Sequence, residues 1–290
     1  VAATYALLSA ALMLGAHVGG HLPALLGVGA APDAAAPYRA TLLVGVALLA
    51  AGLPPLLRIG RPAPGAPAPA PARAAASPPA RDGWGPVAAF VAVGVCFSLS
   101  GAAFDPFAAV YLQALGADPG TTGTVFALGG GVGALLSLAA PRLARRHGFL
   151  PTSASLRLTA LPLVLALLAL PLLPLACAAV GVRAVALAMA WPVDSTFIAA
   201  VVPPGRHAAV YSLRSAAFNG AWAAGSVLAG WAIVAAGGYH VAFAANGAFL
   251  LLGLAVYIGA FARDQRGRPR RAVAVTAEEQ PAAPAAEQAT

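Results

Sequence analysis

Apolar stretches of membrane-spanning length recur along this chain, and they constrain its fold more than any other feature. They lie at about 2–28, 40–59, 86–113, 121–141, 154–175, 177–202, 209–235 and 240–262. A hydrocarbon layer about 30 Å thick needs roughly 20 apolar residues to cross it as a helix. In lipid each backbone N–H and C=O must find its partner within the protein, which leaves helices or closed barrels. Runs this long favour helices. Composition agrees: 60% of the 290 residues are hydrophobic and 9% are charged, against about 25% charged in an ordinary soluble domain. So few charges exclude a soluble globular surface, and so much apolar side chain excludes disorder as the main state. The expectation is an all-α integral membrane protein with eight transmembrane helices.

The runs are not evenly spaced. Residues 61–85 form a Pro/Ala-rich linker with the composition of an extended spacer, and residues 263–290 read as a polar, disordered tail. The sequence thus divides into two helices (1–60), the linker, six helices (86–262) and the tail. All 17 basic residues are arginine. Together with abundant Ala, Gly and Pro, this points to GC-rich codons and a bacterial source. The formal net charge of +8 reflects arginines between and after the apolar runs, so nucleic acid is not an expected partner. Arg58, Arg61, Arg73 and Arg81 fall in the linker, Arg142, Arg145 and Arg146 in the fourth-to-fifth connection, and Arg206 in the sixth-to-seventh. Five more begin the tail, at Arg263, Arg266, Arg268, Arg270 and Arg271. With eight spans these share one side, which the positive-inside rule makes the cytoplasm. Both termini are then cytoplasmic, and the membrane is the inner one. The chain begins at Val1 without an initiator Met and reads as processed or partial. Its first run is too long for a signal peptide and lacks a basic leader. Cys96 and Cys177, in different apolar runs and at different depths, are expected to remain unbridged.

Two helices, a cytoplasmic linker and six helices resemble the major facilitator superfamily (MFS) of secondary transporters, whose two six-helix halves are joined by a cytoplasmic loop. PRLARRHG, Pro141 to Gly148, resembles the second copy of the family's loop motif G-x-L-A-D-R-x-G-R through Leu143, Ala144, Arg146 and Gly148. Arg145 stands where the motif has Asp, so the implied gating loop is carried by Arg142, Arg145 and Arg146. GAHVGG, Gly15 to Gly20, resembles the fifth-helix motif of proton-driven exporters, with Ala16 in place of its Pro. Val201 to Trp231 resembles the junction of the tenth and eleventh helices. The resemblance implies the last two helices of a first half followed by a complete second half, itself two inverted triplets at about 86–175 and 177–262. In such triplets the first helix lines the cavity and the third faces lipid. The second helices here carry small residues four apart, Gly129 with Gly133 and Gly220 with Ala224, a spacing that lets helices approach closely.

Charges within the hydrocarbon are costly and mark function by default. Asp105, Arg183 and Asp194 fall on the two expected cavity helices. By helix rise, Asp105 and Arg183 lie on the outer side, at depths compatible with a charge pair or a shared polar site. Their structural alternatives are a cap before Pro106 and snorkelling to the headgroups. Asp194 lies on the inner side and is a candidate proton carrier; its structural alternative is a pair with Arg214 or bonds to hydroxyls such as Ser195. His17 and His21 share a helix face and suit a coupling residue or a metal; their structural alternative is to face the polar cavity or pack against glycine-bearing helices. Asn219 and Trp222 are candidate substrate contacts, with inter-helix hydrogen bonding and packing as their structural alternative. Ser153 and Ser155 read as helix caps, and Arg157 as a helix-end charge.

The expected function is secondary active transport of small molecules by alternating access, coupled to protons and directed outward, with no cofactor, no enzymatic activity and a monomeric state. Two alternatives stay open: a membrane-embedded enzyme with an intramembrane His site, and a non-transporting sensor or scaffold.

Overall fold

A computed structural model describes residues 2–27, 35–54, 85–202 and 207–266. The linker, almost all of the tail and the loop at Asp33 lie outside these residues. Among the described residues every regular element is a helix. In chain order they are α1 (Ala2–Leu26), α2 (Ala36–Ala51), α3 (Gly85–Ala114), α4 (Pro119–Ser137), α5 (Ala140–His147), α6 (Phe149–Thr159), α7 (Leu161–Ala166), α8 (Leu173–Val201), α9 (His207–Ala236) and α10 (His240–Arg266).

Six helical segments are long and apolar enough to cross a membrane: α1, α3, α8, α9, α10 and the continuous stretch Phe149–Ala166 made by α6 and α7. The protein is therefore a multi-pass helical membrane protein. The expected fourth span, 121–141, is instead α4 followed by α5 at a bend of 56°. Pro141 sits in the first turn of α5; it has no N–H and disfavours a helical residue before it, so the ladder breaks there. The expected second span, 40–59, is described as a 16-residue helix that starts earlier, at Ala36, and residues 55–59 lie outside the described set. The fifth and sixth spans also shift. The fifth begins at Phe149 and ends at Ala166, and the sixth begins at Leu173 with Pro174 in its first turn. Proline suits a helix start, where its missing N–H has no partner to lose.

Packing builds a six-helix body with α1 laid against it. α3 lies between α9 and α10, and α8 packs against α4 and α6. The core is divided between the two ends of the bundle. Phe90, Phe97, Phe197, Leu254, Tyr257 and Phe261 cluster at the end where α3 begins. Phe104, Tyr111, Leu112, Val180 and Phe243 cluster at the other. Rings in both meet edge-on, Phe90 with Phe197 at 5.6 Å and Tyr111 with Phe243 at 4.8 Å between centroids, the geometry the ring quadrupoles favour. Cys96 and Cys177 are both free thiols, Cys177 packing at the second cluster.

Small residues set the closest approaches. Gly129 and Gly133 fit against α8, where a Cβ would come to 2.8 Å from Ala184 Cβ and 2.7 Å from Ala188 Cβ. On α9 the expected Gly220 meets nothing within 4 Å, and Gly225 makes the contact with α3 instead. Of the glycines in the GAHVGG run, Gly20 alone meets a neighbouring helix: α1 crosses α4 at Gly20 and Gly123. A Cβ on Gly123 would stand 2.6 Å from Ala16 O and 2.8 Å from Gly20 Cα. Those obstacles are backbone and cannot move aside. Gly123→Leu should therefore lower stability by about 1–3 kcal/mol, the usual cost of overpacking. Gly19→Leu, with nothing within 4 Å, is the control. Equal unfolding midpoints for the two variants in detergent would contradict this crossing. At the start of α4 the Asp118 carboxylate accepts from Thr121 N at 3.0 Å. Bonds from the Thr121 side chain and amide hold its pKa below the usual carboxylate range.

Candidate functional site

Helices α3, α6, α8 and α9 enclose a cavity of about 450 Å³, within the roughly 300–1,000 Å³ range of small-molecule sites. Both expected cavity helices contribute, Gly101 and Asp105 from α3 and Arg183, Leu187, Trp191 and Ser195 from α8. α9 supplies Tyr211, Arg214, Ser215, Phe218, Asn219 and Trp222. α6 supplies Arg157, which corrects the expectation that third-of-triplet helices stay clear of the cavity.

Two ion pairs organise this region, one on each side of the bundle's middle. Arg183 Nε donates to Asp105 Oδ1 at 2.6 Å and its Nη2 to Oδ2 at 3.1 Å. This fork-on-fork geometry is the strong form of a guanidinium–carboxylate contact. The side chain of Arg183 is 9% exposed and that of Asp105 29%, so the carboxylate opens to the cavity while the guanidinium is enclosed. The Arg183 guanidinium carbon also stands 5.3 Å from the centre of the Phe104 ring. Sequence placed Asp105 and Arg183 at compatible depths, and the structure brings them together. The cap and snorkelling readings for these two residues do not hold.

The second pair is Arg157 with Asp194, at 2.5 Å from Nη2 to Oδ2 and with both side chains under a tenth exposed. Ser153 donates its hydroxyl to Asp194 Oδ1 at 2.6 Å, and Arg157 lies over the Phe97 ring, 3.8 Å from its centre. Three sequence readings are corrected here. Arg157 is a buried charge, because α6 starts at Phe149 and carries the residue two turns inward. Asp194 pairs with Arg157, not with Arg214. Ser153 lies inside α6 and reaches across to α8, while Ser155 donates to Pro151 O within the helix; neither caps the start. Counted on the observed α8, Arg183 lies about 6 Å and Asp194 about 10 Å from the helix midpoint, on opposite sides.

The two clusters repeat one recipe, in which a guanidinium is held between a carboxylate of another helix and a phenyl ring of α3. Phe97 and Phe104 are seven residues apart, two turns of helix, so α3 presents both rings from one face. A buried arginine without its carboxylate would be prohibitive; each of these has one. Arg157 Nε nonetheless remains buried without a hydrogen-bond partner. A third polar contact, missed by the sequence reading, joins α10 to α3. Asn246 is 1% exposed, donates to Ser100 O at 2.7 Å and faces the Ser100 hydroxyl at 3.0 Å. A lone Asn in an apolar run was the available signal.

The remaining candidates divide. Asn219 and Trp222 line the cavity. The amide of Asn219 bonds within its own helix, to Ser215 O at 2.8 Å, and Trp222 stacks on Phe218 at 22° between ring planes. His17 and His21 face each other at 4.7 Å between ring centroids. They sit on α1, away from the cavity, with His21 3.5 Å from the Thr124 hydroxyl. Among the described residues no three His, Cys, Asp or Glu converge as metal ligands would. Arg142, Arg145 and Arg146 are exposed on α5. The expected gating loop is therefore a short helix, seated by Ala140 and Ala144 against Met189 and Val193 of α8.

The fold and the cavity define the class as a multi-pass helical membrane protein with a charged internal cleft. No protein-family model matches the sequence, and no curated protein matches it.

Proposed function

We propose that this protein is a secondary active transporter of small molecules, of the MFS type, working by alternating access around the cavity between α3, α8 and α9. In this reading α1 and α2 take the place of the last two helices of a first half. α4 with α5 counts as one bent span, and eight spans result. The six helices after the linker form two inverted triplets, α3 to α7 and α8 to α10. The coupling ion is the proton, and cargo moves outward. Cargo and proton are the only small partners, the chain is a monomer in the inner membrane, and no cofactor or catalysis is involved.

The observation that carries the reading is the Asp105–Arg183 pair. Membrane proteins do not bury charge without a use for it, and this pair opens to a cavity of ligand size from two different helices. Rocking of one helix group against another is the motion such a cleft suits. Supporting it, the first helix of each triplet lines the cavity as the resemblance implies, and small residues join the second helix of the first triplet to α8. The test is the full chain in proteoliposomes with a pH gradient and an internal pH dye. Addition of a cargo compound should collapse the gradient; a broad compound panel that leaves it intact in both gradient directions would rule the reading out.

Orientation is tested separately. A cysteine at Ala70, in a Cys96→Ser/Cys177→Ser background, should resist an impermeant maleimide in intact cells and react once the membrane is opened. The arginine bias motivates this. Labelling of intact cells would invert the topology.

A further inference from the structure

The charges around the cavity do not balance. Arg157, Arg183 and Arg214 all line it. Two carboxylates answer them, and both are committed: Asp105 to Arg183 and Asp194 to Arg157. Arg214 is left. Among the described residues no carboxylate oxygen lies within ion-pair distance of it, although it shares a small neighbouring space with Asp194 and Tyr257. Its stem passes the backbone of α3 at Gly94, where a Cβ would stand 3.5 Å from Arg214 Cγ. Asp105 lines the cavity itself and Asp194 lies behind the lining, so the three guanidiniums around it are answered by two carboxylates and one guanidinium is in excess.

An unmatched cation inside a membrane protein is expensive, and a ligand that neutralises it recovers that cost. A guanidinium selects planar oxyanions, because its fixed N–H donors match a carboxylate or phosphate two at a time. The rest of the lining mixes aromatic surface with hydroxyl and amide groups, and its flat apolar part is Trp191, Phe218 and Trp222. Phe218 and Trp222 stack on each other one and two turns beyond Arg214 on α9, and Trp191 faces the same space from α8. We infer that the cavity binds a small organic monoanion, its oxyanion on Arg214 and its flat apolar body against Trp222 and Trp191. The inference rests on the transport reading only in calling that ligand a cargo; the binding itself is independent of it.

Three naphthalene probes of similar shape separate charge from apolar partitioning: 2-naphthoate, 2-naphthylmethanol and 2-naphthylmethylamine. Each is measured by equilibrium dialysis against the full chain in phosphatidylcholine nanodiscs, with empty nanodiscs subtracted. Naphthoate should bind saturably and about tenfold or more tighter than the alcohol, the difference one charge-assisted contact makes. Arg214→Gln should remove that advantage, and Arg214→Lys should restore part of it, since lysine keeps the charge without the fork. Asp105→Asn adds one uncompensated positive charge to the cavity and should tighten naphthoate. That gain cannot come from misfolding. Equal retention of all three probes, preference for the amine, or naphthoate binding unchanged by both Arg214→Gln and Asp105→Asn would overturn the inference. Dialysis imposes no gradient, so the two readings fail separately. Naphthoate that binds but moves no protons in proteoliposomes counts against transport alone. Proton movement driven only by cationic compounds counts against the anion site alone.

Discussion

Replacing Arg157 with methionine is expected to destabilise the protein by about 3–5 kcal/mol, the cost of leaving a buried partner charge without its counterion. The charge left behind is Asp194, under a tenth exposed and then held only by Ser153. Asp194→Leu should cost a similar amount from the other side, stranding a guanidinium that has only the Phe97 ring to face. The double variant is the informative one. With both charges gone, two apolar side chains fill the space between α6 and α8, and most of the loss should return, because buried pairs replaced together by apolar groups are often neutral or better. The measurement is the unfolding midpoint in detergent for the two single variants and the double, read as a double-mutant cycle. Additive losses in the double variant would mean that the two residues do not act as a pair.

The second large effect is on mechanism. Asp105→Asn is expected to abolish transport driven by a pH gradient while leaving exchange of cargo across the membrane at equal pH. The carboxylate opens to the cavity and is bonded through both oxygens to Arg183. In the proposed proton-coupled cycle, a proton arriving on Asp105 would remove the charge that holds Arg183 and so link protonation to the position of α8 relative to α3. Asn is close to Asp in size and fixes the neutral state, so net transport, which in the proposed cycle requires proton release each time, should stop. Exchange needs no release and should persist. Membrane-inserted protein should fall less than in Asp194→Leu, because Arg183 keeps the Phe104 ring and an amide oxygen to bond, and flux is read per inserted protein. Normal gradient-driven flux in Asp105→Asn would remove the coupling role from this residue. Asp194→Asn should behave differently and act mainly through lost folded protein, since its partner is enclosed.

Much of this was legible in the sequence because it follows from the solvent. A bilayer admits helices of a certain length, so apolar run length alone identified α1, α3, α8, α9 and α10 and the all-helical class. Charge in an apolar run is costly enough to be conspicuous, so Asp105, Arg183 and Asp194 stood out, and helix rise placed the first two at compatible depths. Gly129 and Gly133 were readable as packing positions by their spacing. What sequence misjudged were boundaries and partners. Moving the start of α6 to Phe149 turned Arg157 from a helix-end charge into a buried one, and Pro141 folded the end of the fourth run into the separate helix α5. A small change in register decides burial, because each residue turns the helix by about 100° and raises it 1.5 Å. The partners of Asp194, Ser153 and Arg157, are 41 and 37 positions away; those of Asn246 and Asp105 are 146 and 78 away. Periodicity along one helix carries no information about which face of another helix it meets. The sequence by itself determined that the chain is a bundle of apolar helices with a few costly charges. Only the tertiary structure decided which charges cancel and which one, Arg214, is left over, because pairing depends on the rotation and depth of each helix against its neighbours.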